Sequence, residues 1–211
     1  IFAAAFILIL NISPSAEAVT AQQVTSTGGI KAWFVPDHTN PILTVKFIFR
    51  GGAALDPVGK EGLANLVSSL LDEGAGDLNS EAFQQTLEDL AIGLNYNSGR
   101  DEFGGSMKTL VRNQDKAFKL LRLSLTKPRF DKEPVERMRS QILVGLKRKR
   151  EDPHAIASRK LFENLYPNHV YGRPTGGTIA TVTGLTIEDL QAFVQQRLAR
   201  DNLIIGVVGD I

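Results

Sequence analysis

A strand, a glycine-rich turn and a helix follow one another early in the chain, and the patterns in this stretch are the clearest guide to the fold. Between Ile42 and Arg50 every second residue is apolar (Leu43, Val45, Phe47 and Phe49). An alternation with a period of two predicts a strand with one buried face. Gly51-Gly52 and Asp56-Pro57 are turn residues. From Leu63 the apolar positions recur at helical spacing as far as Leu71, so we expect a helix that ends before Gly74.

Length and composition set the class of protein. The chain has 211 residues, 43% of them apolar, and a formal net charge of +1. These values suit one globular domain with a substantial core, and the near-neutral charge gives no reason to expect nucleic acid or an anionic membrane as partner. No stable membrane insertion is expected. The absence of cysteine excludes disulfides and thiolate chemistry.

The N-terminus has the pattern of an export signal. The first 12 residues are apolar except for Asn11, and Ala16-Glu17-Ala18 has the form of a cleavage site. We therefore predict a signal peptide at 1–18, truncated at its start, and an exported, periplasmic or secreted protein. A membrane anchor is the alternative, although the stretch is shorter than the ~20 residues that a spanning helix needs. A polar, flexible leader is expected at 19–28.

The rest of the chain reads as a series of strands and helices. The predicted strands lie at 29–37, 94–101, 102–110 and 202–208, the last of them buried, and the predicted helices at 79–93, 114–125, 131–152, 154–166 and 186–198. Asn79 or Ser80 is a plausible N-cap for the second helix, and Thr186 with Asp189 resembles a capping box.

Four short segments occur in an order typical of one family. Gly62-Leu63-Ala64 begins the first helix, Ile142-Leu143 lies in the longest helix, Tyr171-Gly172-Arg173-Pro174 follows later, and Gly209-Asp210 ends the last strand. In this order they resemble the N-terminal domain of pitrilysin/insulinase-type zinc peptidases (family M16). The resemblance covers about residues 28–211 and implies an α+β fold, a mostly antiparallel sheet with helices packed on one face. It also implies that the first two strands form a hairpin and that 29–211 is one domain whose C-terminal companion is missing.

The same resemblance locates the positions where zinc chemistry would be. The family carries His-x-x-Glu-His directly after Gly-Leu-Ala, and a glutamate ligand on a later helix. Here those positions are occupied by Asn65, Ser68, Ser69 and Gly145. The sequence therefore predicts no metal site, no catalytic residues and no cofactor in this chain, with zinc expected in an active partner.

Other catalytic centres find little support in the sequence. His38, His154 and His169 are far apart in the chain, and asparagine and serine are poor zinc ligands. A Gly-x-Ser-x-Gly elbow and a phosphate-binding loop are both absent from the sequence. An active metallopeptidase with atypical ligands stays open as an alternative.

A peptide-binding strand is the remaining functional feature that the resemblance implies. Asn95, Tyr96 and Asn97 match an asparagine-rich strand whose backbone edge receives the substrate peptide in the family. An ordinary hairpin strand is the alternative, because edge pairing requires backbone groups alone.

The basic run at 147–150 is the densest charge cluster. We interpret it as a solvated helix end, compensated by Glu151 and Asp152.

The sequence thus predicts a catalytically inactive M16-like subunit that binds peptide and pairs with an active zinc metallopeptidase in proteolysis. A peptide-binding or assembly module without a protease partner is the alternative.

Overall fold

A six-stranded sheet forms the centre of the molecule. The computed structural model describes residues 20–211, so the predicted signal peptide lies outside the described residues. The strands are β1 (Gln22–Thr25), β2 (Lys31–Pro36), β3 (Ile42–Arg50), β4 (Gly93–Ser98), β5 (Glu102–Leu110) and β6 (Leu203–Gly209). They lie in the order β1-β2-β6-β3-β5-β4, and every pairing is antiparallel except β2 with β6. The predicted mostly antiparallel α+β fold is confirmed.

Seven α-helices accompany the sheet in the described part of the chain. They are α1 (Leu63–Ser68), α2 (Ser80–Asp89), α3 (Gln114–Thr126), α4 (Lys132–Lys149), α5 (Pro153–Leu165), α6 (Ile179–Gly184) and α7 (Ile187–Arg197). The side chain of Asn79 accepts a hydrogen bond from the Ala82 N–H, and Thr186 forms a reciprocal capping box with Asp189. Both predicted caps are therefore present.

The alternation in β3 determines which face of the sheet is covered. Its four alternate apolar side chains are at most 3% exposed and form part of the core, whereas Lys46 and Arg50 on the opposite face are exposed. Helices α1, α2 and α3 contact β4 and β5. The core thus lies between one face of the sheet and the helices, as the sequence predicts.

The predicted hairpin between β2 and β3 is wrong. Strand β6 lies between them, parallel to β2 with Ala32 opposite Ile205 and antiparallel to β3 with Val45 opposite Val207. Because β6 lies between β2 and β3, its backbone pairs with the facing backbone groups of both strands. In a direct hairpin, β2 and β3 would instead pair with each other along their facing edges.

Two smaller differences concern the exposed parts of the sheet. The predicted flexible leader contains β1, because a polar segment can pair through its backbone at the edge of a sheet. Strand β6 is half-buried instead of buried, since Ile204 and Val208 lie on the uncovered face and are 37% and 43% exposed. Within residues 20–211, no helix combines the length and apolar character needed to cross a bilayer.

Candidate functional site

A buried carboxylate fixes the start of α1. Gly62 precedes the helix with a φ of 94°, which favours glycine. The Asp56 side chain accepts hydrogen bonds from the Gly62 and Ala64 N–H groups at 3.0 and 3.2 Å, and the Arg197 guanidinium of α7 lies 3.3 Å away. Burial raises the pKa of Asp56 to about 6 against the opposing effect of these partners. The turn, α1 and α7 are thereby joined at one point.

The three motif positions on α1 carry no group that favours zinc. Ser68 Oγ donates to the Asn65 carbonyl, and Ser69 Oγ donates to the Leu66 carbonyl, both at 2.8 Å. Ser68 is buried, and Asn65 and Ser69 are half-buried. Both hydroxyls are thus engaged with the backbone of their own helix.

The fourth motif position lies inside α4, which contacts α1. Gly145 is half-buried, and a Cβ placed on it would meet nothing within 4 Å. Space for a side chain is therefore present, but the donor atom of a metal ligand is not.

Asp72 and Glu73 follow α1, and the Glu73 side chain is bonded to residues of α2 and α4. Glu73 accepts hydrogen bonds from both terminal nitrogens of Arg137 at 3.2 and 2.7 Å, and Ser80 Oγ donates to it at 2.5 Å. Burial opposes ionisation of Glu73, but the bonds from Arg137 and Ser80 outweigh it and lower its pKa. Burial raises the pKa of the neighbouring Asp72, with Glu73 adding to the effect.

The three histidines lie apart in the structure and have other partners. His38 Nδ1 is 2.5 Å from a carboxylate oxygen of Asp210, His169 Nδ1 accepts from the Tyr171 N–H, and His154 begins α5. Among residues 20–211 no group of three or more His, Cys, Asp or Glu side chains could hold a metal ion.

Strand β4 lies at the edge of the sheet, where it pairs with β5 on one side within the described chain. The Gly99 N–H donates to the Glu102 carbonyl at the turn, which fixes the alternation of hydrogen-bonded pairs along β4. By this register, the backbone groups of Asn95 and Asn97 face β5. Those of Leu94, Tyr96 and Ser98 face outward from the sheet edge.

The three residues predicted to receive a peptide, Asn95, Tyr96 and Asn97, therefore differ in the direction of their backbone groups and side chains. Asn95 and Asn97 have exposed side chains on the uncovered face of the sheet. The Tyr96 side chain turns to the core, where its hydroxyl is hydrogen-bonded to Ser124 Oγ and its ring packs edge-on against Phe47 at a centroid distance of 6.0 Å. Tyr96 contributes an open backbone edge and a half-buried side chain that packs against the core.

The Tyr-Gly-Arg-Pro segment braces this region. Arg173 donates to the carbonyls of Ala54 and Asp56, each at 2.9 Å, and the Tyr171 hydroxyl donates to Asp101 at 2.7 Å. Arg100, which the sequence analysis did not single out, donates to the Tyr171 carbonyl at 2.7 Å. These contacts connect the β4–β5 turn to the loop that precedes α1. No local sequence pattern indicates them, because they join segments about 70 or more residues apart.

Comparison with known sequences gives a consistent result. The model of the insulinase family, peptidase family M16, matches residues 33–179. A protein named non-peptidase homolog YmxG from Helicobacter pylori is 26% identical over 196 residues, which cover 93% of this chain and 45% of that protein. The mitochondrial-processing peptidase subunit beta of Saccharomyces cerevisiae is 21% identical over 208 residues, covering 97% of this chain and 44% of that subunit. The chain thus spans less than half the length of these relatives.

Solved structures share the same fold. A crystal structure described as a peptidase M16 inactive domain, from Pseudomonas fluorescens, superposes with a TM-score of 0.86 at 27% identity and covers 92% of this chain and 47% of that one. The periplasmic protease PqqL of Escherichia coli gives a TM-score of 0.79 at 18% identity, covering 90% of this chain and 22% of that protein.

Proposed function

Since the chain belongs to peptidase family M16, whose model matches most of its length, we propose that it is a non-catalytic member that binds an extended peptide along β4 and supports an active M16 peptidase. The observation that carries this proposal is the combination of an open strand edge at β4 with the absence of zinc ligands at the three ligand positions and of a carboxylate base at the fourth motif position.

The chemistry of the motif positions supports the non-catalytic part. A catalytic zinc needs three protein ligands to hold an activated water, and a general base beside it. Asn65, Ser69 and Gly145 stand at the ligand positions and Ser68 at that of the base. Elemental analysis of the dialysed protein tests the competing proposal of atypical ligands: one tightly bound zinc per chain would contradict a non-catalytic role.

The backbone of β4 supports the peptide-binding part. An extended peptide can add a strand to an exposed edge, with affinity from main-chain hydrogen bonds. Leu94, Tyr96 and Ser98 each direct one N–H and one carbonyl to that edge, over a length of five residues. The exposed Asn95 and Asn97 side chains flank the same edge and could contact the peptide's side chains.

Pairing and export belong to the same proposal. The relatives include a protein named as a peptidase subunit, and one of the structural neighbours is a periplasmic protease. If the chain is exported and pairs with an active M16 subunit, the pairing explains why it has the M16 fold but no zinc ligands. A peptide-binding module without a protease partner is the second candidate, and the same β4 edge supports it. Measuring the rate of an active M16 peptidase from the same organism with and without this chain distinguishes the two.

A substitution at Ser98 tests the peptide-binding edge. Ser98→Pro removes an outward N–H at a position where a sheet edge tolerates proline, and the preceding Asn97 is already in the extended conformation that proline requires. We expect affinity for a peptide of alternating valine and threonine, with lysines at each end, to fall about three- to tenfold, the effect of one lost hydrogen bond. Fluorescence anisotropy of the labelled peptide provides the measurement.

The matched control is Ser98→Ala, which keeps the N–H and should bind as the unmodified protein does. Circular dichroism establishes that both variants are folded. Equal loss of affinity in the two variants would assign binding to the Ser98 side chain or to another surface. Tyr96→Ala is a poor control, because it also removes the contacts with Ser124 and Phe47.

A further inference from the structure

A basic pocket lies between the end of α4, the helix α5, the β4–β5 turn and the segment that leads to α6. Its volume is about 350 Å³, within the usual range of small-molecule sites. Five of its lining residues are cationic and none is acidic: Arg100, Lys149, Arg150, Arg159 and Arg173. They come from four separate segments of the chain, so the concentration of charge is a property of the fold and not of the basic run alone.

Two of the five cations are held in fixed positions. Arg100 donates to the carbonyls of Tyr171 and Arg173, and its guanidinium lies 4.6 Å from the centroid of the Phe162 ring. Arg173 donates to the carbonyls of Ala54 and Asp56, and Glu61 lies 3.6 Å from it. Arg100 thus contacts neutral carbonyls and rings and keeps its positive charge, whereas Glu61 partly compensates the charge of Arg173.

The other three cations lie at the open side of the pocket. Lys149 and Arg150 form no ion pair with any residue of 20–211, and Arg159 is 3.7 Å from Glu163 on its own helix. Asp152, expected to compensate the basic run, accepts a hydrogen bond from the His154 N–H at the start of α5 instead. Glu151 and Asp152 follow the basic run in sequence but form no ion pair with Lys149 or Arg150 in the described chain.

We propose that this pocket binds an oxyanion group, a carboxylate or a phosphate. Five like charges around one cavity repel each other, and a bound anion removes that repulsion. Arginine presents a planar set of donors that matches both carboxylate and phosphate oxygens, and four of the five cations are arginines. The proposal stands on the pocket alone and does not depend on peptide binding at β4.

Calorimetric titration of the purified chain tests the proposal. The probes are inorganic phosphate and triaspartate, with triasparagine as the neutral counterpart. We expect phosphate, triaspartate or both to bind, triasparagine not to bind, and raising NaCl from about 50 to about 500 mM to weaken binding by screening. Binding of one probe and not the other identifies the source of the anion.

The basic run provides a matched pair of double variants. Lys149→Gln with Arg150→Gln removes two charges from the pocket, and we expect affinity to fall about tenfold or more. Lys147→Gln with Arg148→Gln removes the same net charge from the same helix end but not from the pocket, and should stay within about twofold of the unmodified protein. Arg159→Gln, on a different helix, should weaken binding as well.

Three results would overturn the proposal. They are no binding of either anion, equal weakening in both double variants, or no effect of Arg159→Gln. The three sets of substituted residues are all exposed, so the variants are expected to fold, and circular dichroism checks this.

Discussion

At the scale of single residues, Asp56 connects the loop before α1, the start of α1 and helix α7. It is 2% exposed and has two backbone N–H donors at the start of α1 and the Arg197 guanidinium of α7 as partners. Removing one partner of a buried ion pair is costly because the other charge stays uncompensated. The helix that carries the degenerate motif thus retains its anchoring although its metal ligands are gone.

The raised pKa of Asp56 predicts a pH dependence of stability. Its pKa is about 6 in the folded protein, against 3.8 as the ordinary value. Between these values the folded state binds more protons than the unfolded state, so the contribution of Asp56 to stability falls as pH rises from about 4 to about 6 and is constant above.

Asp56→Asn does not titrate and provides the comparison. We expect the free energy of unfolding of the unmodified protein, relative to this variant, to fall by about 2–3 kcal/mol across that range. Urea unfolding of both proteins at several pH values measures the difference. A difference that rises with pH would show that the bonds from Ala64, Gly62 and Arg197 outweigh burial.

At the scale of elements, Gly145 makes α4 less stable than an alanine at the same position would. It lies in the helix interior with a φ outside the left-handed region, and a Cβ there would meet nothing within 4 Å. Glycine in a helix interior costs about 0.5–1 kcal/mol relative to alanine.

Gly145→Ala should therefore raise the free energy of unfolding by about 0.5–1 kcal/mol and leave peptide binding unchanged. Gly177→Ala is the opposing control, because its φ is 76° and a Cβ would lie 2.1 Å from the Glu61 carbonyl oxygen. Thermal and urea unfolding measure both variants. Destabilisation by Gly145→Ala would mean that the helix is strained at this position.

The elements also show how far the sequence determines the fold. The bounds of β3 can be predicted from its period-two pattern, because one face of the strand is buried. The caps at Asn79 and Thr186 can also be predicted, because they form with residues close in sequence. The position of β6 between β2 and β3 depends on pairing across more than 150 residues, which no local pattern records. Helix α6 has six residues, too few for a clear periodicity.

The candidate sites likewise differ in how far the sequence predicts them. The loss of the ligands at Asn65, Ser69 and Gly145 and of the base at Ser68 is visible in the sequence, since it depends on residue identity. The basic pocket is not, because Arg100 and Arg173 reach it from a hairpin turn and a loop.

At the scale of the whole molecule, the degenerate motif, the open strand edge and the basic pocket are formed by different sets of residues. The degenerate site lies on α1 and α4, the open edge is β4, and the basic pocket is formed by α4, α5 and the loop before α6. We propose that this metallopeptidase-like fold functions through its strand edge at β4 and not through zinc chemistry.

Hydrogen exchange of the β4 amides, with the valine–threonine peptide as ligand, tests whether a peptide binds along this strand edge. The outward amides of Leu94, Tyr96 and Ser98 should exchange more slowly when the peptide is bound, while those of Asn95 and Asn97 should change little because they already pair with β5. Methylating the peptide nitrogens that face β4 should abolish this protection, and methylating the alternate set should not. Protection confined to another surface, or no protection at Leu94, Tyr96 and Ser98 by a bound peptide, would show that β4 is not the peptide-binding edge.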